Sequence, residues 1–574
     1  MSLPPPRHDR LVSHLLRDQA AERPDKEALA YPAFTQNGTA VRLSFSQLDA
    51  EVDRLARGLI ALGIRKGEHV AVWAGNVSSW IPLEFALARV GAVLVTVNTS
   101  LQPDEVAYIL SQSHAVAVIH TTCNGSTQAS ATLDNLLAAE TTGQPSSTSD
   151  HQVLPDRLRL RIWLPSLADE APPSMRAPRT GEAVTVQQLY ERGNKVSLDE
   201  VRLRENSLDS GDVINIQYTS GTTGFPKGVM LSHVNMMTSA YALGDELELT
   251  PEDRVVLMVP LFHCFGCVVA VLGTFTYGAS LHALPVFEPG DALRLIHEER
   301  CTVIHGVPTM YSAMIAHDDL KKYDTSSLRT GLAAGAPCPV PLMAAIRDEL
   351  KCEGILVAFG LTEAAPGVSG CRPDDTFEAR SETIGRPIYA VEMRIADPAT
   401  LEPVPEGVEG EIQVRGPNVM VGYHNDPQAT AASMTPDGWL KTGDLGTCGP
   451  DGLFRVVGRI KNIIIRGGEN IAPAEIENLL RAHPDILDAA VVGIRDEKFG
   501  EEVAAALRLS PGKSVDIDSY KAALKGRIGS FKQPKTFHVF EAFPLTGSGK
   551  VKKFLLSKWI EGELGIHSEE PAQR

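Results

Sequence analysis

Apolar positions along the first hundred residues alternate between two spacings. Residues 45–62 and 80–91 carry apolar side chains at the intervals of an amphipathic helix. Residues 69–73 and 92–97 are short, almost continuous apolar runs, a pattern typical of buried strands. Helices that alternate with buried strands predict a mostly parallel sheet with crossover helices, so the predicted fold class is α/β.

This alternation is interrupted once and later ends. Residues 121–152 are rich in Ser, Thr and Gly, which predicts an exposed insertion, and the α/β pattern then continues from about residue 212 to 457. Further on, Pro473 is suited to the first turn of a helix; short apolar runs follow at 489–492, 503–509 and 536–540, with a helical pattern at 518–528. We predict a large N-terminal domain of mixed, mainly parallel sheets over residues 1–458 and a small, mobile C-terminal α+β domain over residues 459–574.

One apolar segment is long enough for a membrane span to be considered. Residues 255–287 contain no Asp, Glu, Lys or Arg. Pro260, Gly266, Gly273, Gly278 and Pro285 divide this segment into pieces too short to cross a bilayer. We therefore predict a buried strand, helix and strand here, and no transmembrane segment.

Composition and charge favour a multidomain protein without general affinity for nucleic acid. The chain has 574 residues, 43% of them hydrophobic, so it can bury more than one core. Its formal net charge of -17 disfavours nucleic-acid backbones as partners. One region is basic all the same, with a single acid, Glu541, among Lys521, Lys525, Arg527, Lys532, Lys535, Lys550, Lys552, Lys553 and Lys558. Such a cluster is either a site for a polyanionic ligand or a solvated basic face.

Cysteine use and the chain ends indicate the compartment. Eight cysteines in a chain of this length do not form a disulfide scaffold, which favours a reducing compartment. Cys264 and Cys267 have a Cys-x-x-Cys spacing that could hold zinc or a redox pair, but no second pair stands at a matching distance. The first ten residues lack the features of a secretory signal, and the last three are not a Ser-Lys-Leu-like tripeptide. We expect a cytoplasmic protein, with a peroxisomal location left open.

The stretch YTSGTTGFPKG, residues 218–228, has the composition of a phosphate-binding loop. Its glycines let backbone N–H groups converge on an anion, and its hydroxyls and Lys227 add donors. It is not a Walker loop, because Pro226 and Gly228 flank the lysine where that motif needs Gly and then Ser or Thr. Residues 213–218 predict a strand before the loop and residues 229–237 a helix after it, and phosphates tend to bind between such elements. A flexible surface loop is the alternative.

Further motifs accompany this loop in a specific order. They are GAP (335–337), AFGLTE (358–363), GWLKTGD (438–444), GRIKN (458–462), RGGENIAP (466–473) and PLTGSGK (544–550). Together they resemble the adenylate-forming superfamily of acyl-CoA synthetases, carrier-protein adenylation domains and luciferases. The segments PKGVMLSHVN, PLFHCFG and GRIKNIIIRGGENIAPAEIE are most similar to medium-chain fatty acyl-CoA ligases and their aryl-acid relatives. The resemblance covers nearly the whole chain except residues 121–152.

This resemblance implies an ATP-dependent acid:CoA ligase. A carboxylate would attack the α-phosphate of ATP to give acyl-AMP and diphosphate, and the thiol of coenzyme A would then displace AMP. ATP, Mg²⁺ and coenzyme A are the implied cofactor and co-substrates, and the implied acid is medium-chain, branched or aryl. The alternatives are an enzyme that loads the acid onto a carrier protein, a catalytically silent nucleotide-binding protein and a luciferase-like oxygenase.

The resemblance also implies a nucleotide site. The β- and γ-phosphates would lie in the loop of Thr219, Ser220, Gly221, Thr222, Thr223, Gly224 and Lys227. Adenine and ribose would contact Gly335, Ala336, Pro337, Phe359, Gly360, Asp444 and Arg459. Thr362 would contact the α-phosphate, and Glu363 would bind Mg²⁺, since this hard cation prefers carboxylate oxygens.

The remaining implied residues concern catalysis, domain motion and the acid. Lys550 would bridge the carboxylate and the α-phosphate, Lys461 would be the hinge, and Gly467 and Gly468 would leave room for coenzyme A. The acyl pocket would be lined by His263 and Phe262. No acid occurs between Asp253 and Glu288, and a buried ammonium group without a partner is costly, so an α-amino acid substrate is disfavoured. The expected partners are therefore small molecules. The oligomeric state stays open, with a homodimer as one option.

Overall fold

A computed structural model of the chain describes residues 10–35, 40–124, 128–142, 154, 157–166, 169, 171–219, 226–466, 469–496, 499–525, 527–528, 532–546 and 550–566. Up to residue 219 its elements are α1 (Val12–Glu22), β1 (Glu27–Tyr31), β2 (Val41–Ser44), α2 (Phe45–Ala61), β3 (His69–Trp73), α3 (Trp80–Val90), β4 (Val93–Thr96), α4 (Pro103–Gln112), β5 (Ala117–His120), α5 (Ala129–Thr142), β6 (Leu160–Trp163), β7 (Glu182–Thr185), α6 (Val186–Gly193), α7 (Leu198–Glu205) and β8 (Val213–Thr219). The helices and strands predicted in the first hundred residues are confirmed, each with closely matching ends.

The middle of the chain alternates strands and helices as far as β15 and then consists mainly of strands. Its elements are β9 (Lys227–Ser232), α8 (His233–Glu246), β10 (Arg254–Leu257), a π-helix (Phe265–Leu272), α9 (Gly273–Thr276), β11 (Ser280–Ala283), α10 (Pro289–Glu299), β12 (Val303–Gly306), α11 (Pro308–Ile315), β13 (Thr330–Ala333), α12 (Val340–Asp348), β14 (Gly354–Gly360), β15 (Gly367–Gly370), α13 (Phe377–Glu382), β16 (Arg386–Pro387), β17 (Glu392–Ala396), β18 (Gly410–Arg415), β19 (Gly422–Tyr423), α14 (Pro427–Ser433), β20 (Leu440–Cys448) and β21 (Phe454–Arg459).

Two large sheets form the core of the N-terminal domain. One has the strand order β16-β15-β14-β13-β12-β10-β11-β1-β2, and the other has the order β19-β9-β8-β4-β3-β5-β6-β7. Strands β10 to β14 are parallel, so their carboxyl ends lie at one edge of the first sheet. Because β11 and β12 lie on opposite sides of β10, a crevice opens at this edge, the usual place for a ligand in an α/β sheet.

The segment after the glycine-rich loop differs from the prediction of a helix over residues 229–237. Residues Lys227–Ser232 form β9, which pairs antiparallel with β8, so the loop joins two strands of a hairpin. Val229 and Leu231 are buried on one face of β9, and this short alternation is a strand pattern. The helix α8 begins only at His233, because the Ser232 side chain accepts a hydrogen bond from the Asn235 N–H and caps the helix there.

The predicted exposed insertion at residues 121–152 is wrong for its described central part. Helix α5 buries Ala129, Leu133, Leu136 and Leu137 against the second sheet. These leucines recur at helical spacing, a signal obscured by the many Ser and Thr residues around them. Residues 125–127 and 143–152 lie outside the described residues.

The uncharged segment 255–287 is a buried strand, helix and strand, as predicted. Strands β10 and β11 pair in parallel, and the helix between them is π-helical over Phe265–Leu272. Every residue of that π-helix is buried. Among the described residues, no helix combines the length and the apolar character that crossing a membrane requires.

The C-terminal part is a small α+β domain, as predicted. Its elements are β22 (Ile464–Arg466), β23 (Glu469–Ile471), α15 (Pro473–Arg481), β24 (Ile486–Asp496), β25 (Gly500–Leu509), α16 (Ile517–Leu524), β26 (Thr536–Val539) and α17 (Lys553–Glu563). Strands β24 and β25 form an antiparallel pair with an apolar cluster on each face. One cluster includes Ile476 and Leu480 of α15, and the other includes Leu556 and Ile560 of α17. Helices on both faces therefore give this domain its own core.

Candidate active site

A cavity of about 330 Å³ opens at the carboxyl ends of the parallel strands of the first sheet. Val259 and Pro260 follow β10, Val307 follows β12 and Gly335 follows β13, and all four line this cavity. The C-terminal domain closes it with Thr546 and Lys550. The cavity therefore lies where the two domains meet. Because the sequence predicts that His263 borders the substrate acid, we call this cavity the acyl pocket.

Lys550 lies in this cleft at the end of a tight turn. The Thr546 N–H donates to the Lys550 carbonyl at 2.7 Å, and the Lys550 N–H donates to Thr546 Oγ1 at 3.0 Å. The crowding of protein around the cleft lowers the pKa of the Lys550 ammonium from 10.5, and the positive charge of Arg459 lowers it further, although the side chain still reaches solvent. Within the described residues, no carboxylate forms an ion pair with this ammonium.

His263 lines the acyl pocket as a neutral imidazole of defined tautomer. The Phe265 N–H donates to His263 Nδ1 at 3.2 Å, so the ring hydrogen is on Nε2. Burial lowers the pKa of His263 to about 4, and the charge of Lys550 contributes to this shift. The ring therefore offers one N–H donor at neutral pH. Phe265 and Phe287 supply the aromatic wall of the pocket, whereas Phe262 is not among its lining residues.

Asp444 and Arg459 face each other across the β20–β21 pair, which brings the predicted ribose residues together. Arg459 Nε donates to Asp444 Oδ1, and Arg459 Nη2 is 3.4 Å from Asp444 Oδ2. Asp444 is buried while half of the Arg459 side chain is exposed. The carboxylate is thus held in a fixed orientation by an arginine that remains accessible to a ligand.

Glu363 is held by a residue that sequence reasoning missed. The Tyr423 hydroxyl donates to Glu363 Oε1 at 2.9 Å, and the Lys227 ammonium lies 5.1 Å from the centre of the Tyr423 ring. A carboxylate that accepts one hydrogen bond keeps further lone pairs for a cation. Because Tyr423 is 60 residues from Glu363 in the chain, only the pairing of β19 with β9 reveals the contact.

The two segments predicted to contact adenine each depend on a glycine. One glycine has a left-handed backbone conformation, and the other lies in close contact with a distant backbone carbonyl. Gly335 has φ +84°, which favours glycine, and it is followed by Ala336 and the exposed Pro337. A side chain at Gly360 would place its Cβ 2.0 Å from the Pro366 carbonyl oxygen, so only glycine fits after Phe359 at the end of β14. The next residues turn sharply, and buried Thr362 accepts a weak hydrogen bond from Cys264 Sγ at 3.9 Å.

The phosphate loop is described at its two ends. Thr219 and Lys227 are paired at the end of the β8–β9 hairpin. The predicted loop residues Ser220, Gly221, Thr222, Thr223 and Gly224 lie outside the described residues, as do Gly467 and Gly468. Lys461 is described as part of the turn Ile460–Asn462 in its backbone alone.

The C-terminal basic cluster is partly neutralised. Lys532 pairs with Glu475 at 2.7 Å, Lys535 with Asp496 at 3.2 Å and Lys553 with Glu477 at 2.6 Å. These ion pairs narrow the basic surface that could meet a polyanion. Lys558 on α17 is exposed.

The Cys-x-x-Cys pair lies in the buried π-helix region. Cys264 and Cys267 are free thiols, and burial raises the pKa of Cys264 to about 12. Gln217 Nε2 donates to Cys267 Sγ at 3.1 Å. In the described part of the chain, the potential metal-ligand group that forms is Glu27, His282 and Glu299, and it does not include either thiol.

With this geometry established, comparison with known proteins defines the class. The chain belongs to the AMP-binding enzymes. The family model "AMP-binding enzyme" matches residues 16–424, and the family model "AMP-binding enzyme C-terminal domain" matches residues 475–550.

Individual relatives narrow the class to acyl-CoA ligases. The chain is 41% identical over 551 residues to the "Putative acyl-CoA synthetase YngI" of Bacillus subtilis (strain 168). The aligned region covers 96% of this chain and 97% of the relative. It is 35% identical over 564 residues to the mitochondrial medium-chain acyl-CoA ligase ACSF2 of Homo sapiens. The aligned region covers 97% of this chain and 89% of the relative. The crystal structure of ATP-bound MatB from Rhodopseudomonas palustris superposes with a TM-score of 0.79 at 27% identity, over 96% and 99% of the two chains.

These comparisons confirm the resemblance drawn from the motifs. The protein is an enzyme of the adenylate-forming acyl-CoA ligase family, for which ATP and coenzyme A are the co-substrates. Its fold, with a large N-terminal domain and a smaller C-terminal domain, is also the predicted one.

Proposed function

We propose that this protein joins a medium-chain carboxylic acid to coenzyme A through an acyl-adenylate. The observation that carries the proposal is the acyl pocket itself, whose apolar walls end at Lys550. At about 330 Å³ it is at the small end of ligand pockets, which favours a medium-chain acid over a long one. The name of the medium-chain ligase relative supports the same chain length.

In the adenylation step, the main task of the protein is to hold two anions together. The acid's carboxylate and the α-phosphate repel each other, and attack requires them in line. Lys550 is the cation in the pocket that can bind both, because no described carboxylate already pairs with it. The neutral His263 can donate from Nε2 to the carboxylate without removing its charge. Thr362 would meet the α-phosphate, and Thr219, Lys227 and the loop between them would hold the β- and γ-phosphates.

Glu363 is suited to bind Mg²⁺, because that ion binds through one or two carboxylates and the substrate's phosphates. Mg²⁺ supplies charge neutralisation at the phosphates when bound. Tyr423 fixes the orientation of the Glu363 carboxylate, and Lys227 lies on the other side of the Tyr423 ring. Both residues stand beside the hairpin loop that would hold the phosphates.

The nucleoside would be held by residues from both sides of the cleft. Asp444 would accept from the ribose hydroxyls, with Arg459 beside it. Gly335, Ala336, Pro337, Phe359 and Gly360 would border the adenine. Gly335 and Lys550 line the same cavity, so a nucleotide held between these segments would have its phosphates within reach of Lys550.

In the thioester step, the small domain would turn about Lys461 at the domain boundary near residue 458. That motion would carry Lys550 away and bring Gly467 and Gly468 to the cleft, where they leave room for coenzyme A. One cleft would then serve both half-reactions. The short turn Ile460–Asn462 between β21 and β22 is a suitable place for such a pivot.

Diphosphate release with ATP and Mg²⁺ tests this proposal. A panel of straight-chain, branched and aryl acids is assayed with and without coenzyme A, and thioesters are identified by mass spectrometry. The proposal expects release with medium-chain acids and a matching acyl-CoA when coenzyme A is present. Release without any acyl-CoA would instead favour a carrier protein as the acceptor. No release with any acid would contradict the proposal.

A further inference from the structure

His305 is a buried histidine that the proposed mechanism does not use. It lies on β12 and is 1% exposed. Neither of its ring nitrogens has a hydrogen-bond partner among the described residues. Two unpaired ring nitrogens in the interior cost free energy, so such a group calls for an explanation.

His305 is not among the residues that line the acyl pocket, but it adjoins two of them, Val307 and Phe265. Val307, which lines the pocket, is two residues further along the same extended backbone, so both side chains lie on the same face. One strand step of two residues places His305 roughly 7 Å deeper than Val307. Its ring centre is 6.1 Å from that of Phe265, which lines the same pocket. A chain that extended past Phe265 would therefore approach His305.

The neighbours of His305 on the two flanking strands are apolar. Leu332 pairs with it in the neighbouring strand β13, and Leu257 ends the neighbouring strand β10 in the same apolar cluster. A buried water usually needs two to four polar partners, and the neighbours of His305 named here are apolar. A ligand that brings its own oxygen on an apolar chain suits the position better than water.

The chemistry of the imidazole limits that oxygen to an uncharged group. Burial lowers the pKa of His305 to about 4, so the ring is neutral at physiological pH, with one donor and one acceptor nitrogen. A second carboxylate would be a buried charge with no counter-charge, which is strongly disfavoured. A hydroxyl can pair with either nitrogen, and a keto oxygen can accept from the N–H.

We propose that the acyl pocket takes acids whose chain carries a hydroxyl or keto oxygen, and that His305 binds this oxygen at the inner end of the pocket, beyond Phe265. The proposal deepens the proposed function and rests on it, because it assumes that the pocket holds the acid. His305 acts here as a residue that determines specificity, remote from the reacting carboxylate.

The test compares octanoic acid with its hydroxy and keto isomers, substituted at each position along the chain. For each acid, kcat/KM is measured by diphosphate release, and binding is measured by calorimetry on the same enzyme. We expect at least one isomer to exceed octanoic acid by about tenfold, the effect of one added hydrogen bond. In His305→Leu the ratio of kcat/KM for the preferred isomer to kcat/KM for octanoic acid should fall to about one. In His305→Gln, which keeps a donor and an acceptor, part of the preference should remain.

His233→Leu is the matched control, since His233 is another buried neutral histidine, with its Nδ1 accepting from the Val12 N–H at 3.1 Å. This variant should lose thermal stability and keep the wild-type preference among the acids. By contrast, His305→Leu should melt at or above the wild-type temperature, because it removes an unpaired polar group.

Each outcome decides the proposal. Equal kcat/KM and equal affinity for octanoic acid and every isomer would overturn it while leaving the ligase function intact. A preference that persists in His305→Leu would also overturn it. If no acid is turned over, the ligase proposal fails. The calorimetric affinities of the isomers relative to octanoic acid, in wild type and in His305→Leu, then still decide whether His305 binds the oxygen.

Discussion

Two clusters of positive charge differ in how completely they are neutralised. Arg89 on α3 is fully buried, and it lies 2.5 Å from Asp49, 2.6 Å from Asp53 and 3.6 Å from Glu205. In the cleft, Arg459 is half exposed and paired with Asp444 alone, and Lys550 has no carboxylate partner among the described residues. In the first cluster every cation has carboxylate partners, whereas in the second Lys550 has no ion-pair partner among the described residues.

This difference separates a structural role from a functional one. A buried cation is tolerated only with counter-charges, so the carboxylates around Arg89 fix helices α2, α3 and α7 relative to one another. An uncompensated cation at a cleft remains available to an anionic substrate. Incomplete neutralisation, more than burial, therefore distinguishes the cations that we propose act on the substrates.

The largest expected effect comes from breaking the buried cluster. Arg89→Met leaves Asp49 without its cation and leaves Asp53 and Glu205 with Arg17 alone, so we expect a loss of about 3–5 kcal/mol in the free energy of unfolding. Urea denaturation measures this loss. Arg202→Met is the control: Arg202 is exposed and 3.6 Å from Asp199, and its removal should cost less than about 1 kcal/mol. Equal stability of the two variants would contradict the structural role of Arg89.

The next effect concerns the unpaired lysine. Lys550→Ala should slow adenylation of the free acid by roughly a hundred- to a thousandfold, the usual result of removing one charge-stabilising donor. Thioester formation from supplied acyl-AMP should be spared, because that step would take place with Lys550 away from the cleft. Lys558→Ala, a change to an exposed lysine on α17, serves as the control. Equal loss in both half-reactions would rule out domain alternation.

A smaller effect is expected at Tyr423. Tyr423→Phe removes the hydrogen bond to Glu363 and keeps the ring beside Lys227, so we expect the affinity for ATP with Mg²⁺ to fall by up to about tenfold. Tyr423→Leu removes both contacts and should weaken binding further. Calorimetric titration of ATP with and without Mg²⁺ measures this effect. If Tyr423→Phe changed neither titration, Tyr423 would not position Glu363.

The smallest effect is a shift in the pH profile. The lowered pKa of Lys550 means that its proton is lost at a lower pH than that of a free lysine, so adenylation should decline on the alkaline side before pH 10.5. His263, with a pKa of about 4, stays neutral across the neutral range and should add no step there. Diphosphate release measured from pH 5 to 10 tests both statements. A step near pH 6.5 that disappears in His263→Gln would show that His263 titrates in the ordinary range.

The features that were predictable from sequence are those encoded locally or in a motif. The strand His69–Trp73 is predictable because an apolar run ends at polar residues, and the motif that contains Lys550 is enough to single out this residue as a candidate. That Lys550 lies beside the strand ends that line the acyl pocket is implied by the resemblance alone, because no local pattern shows how the two domains come together.

The missed features depend on contacts between distant segments. Tyr423 becomes relevant only when β19 pairs with β9, and His305 becomes noticeable only when its neighbours prove to be apolar. The prediction of a helix over residues 229–237 is wrong at β9, because a short apolar run is compatible with either a helix or a strand. The pairing of β9 with β8 decides between them.

The π-helix at Phe265–Leu272 has an evolutionary consequence. A π-turn holds one residue more than an α-turn, so the loss of a single codon in this stretch would restore ordinary helical winding. The residues before the deletion would then rotate by about 100° relative to those after it. Phe265 would turn out of the pocket wall while the buried apolar sequence stayed almost unchanged. Descendants of this gene thus have a one-step route to a differently shaped pocket, through a deletion that leaves the fold's hydrophobic pattern intact.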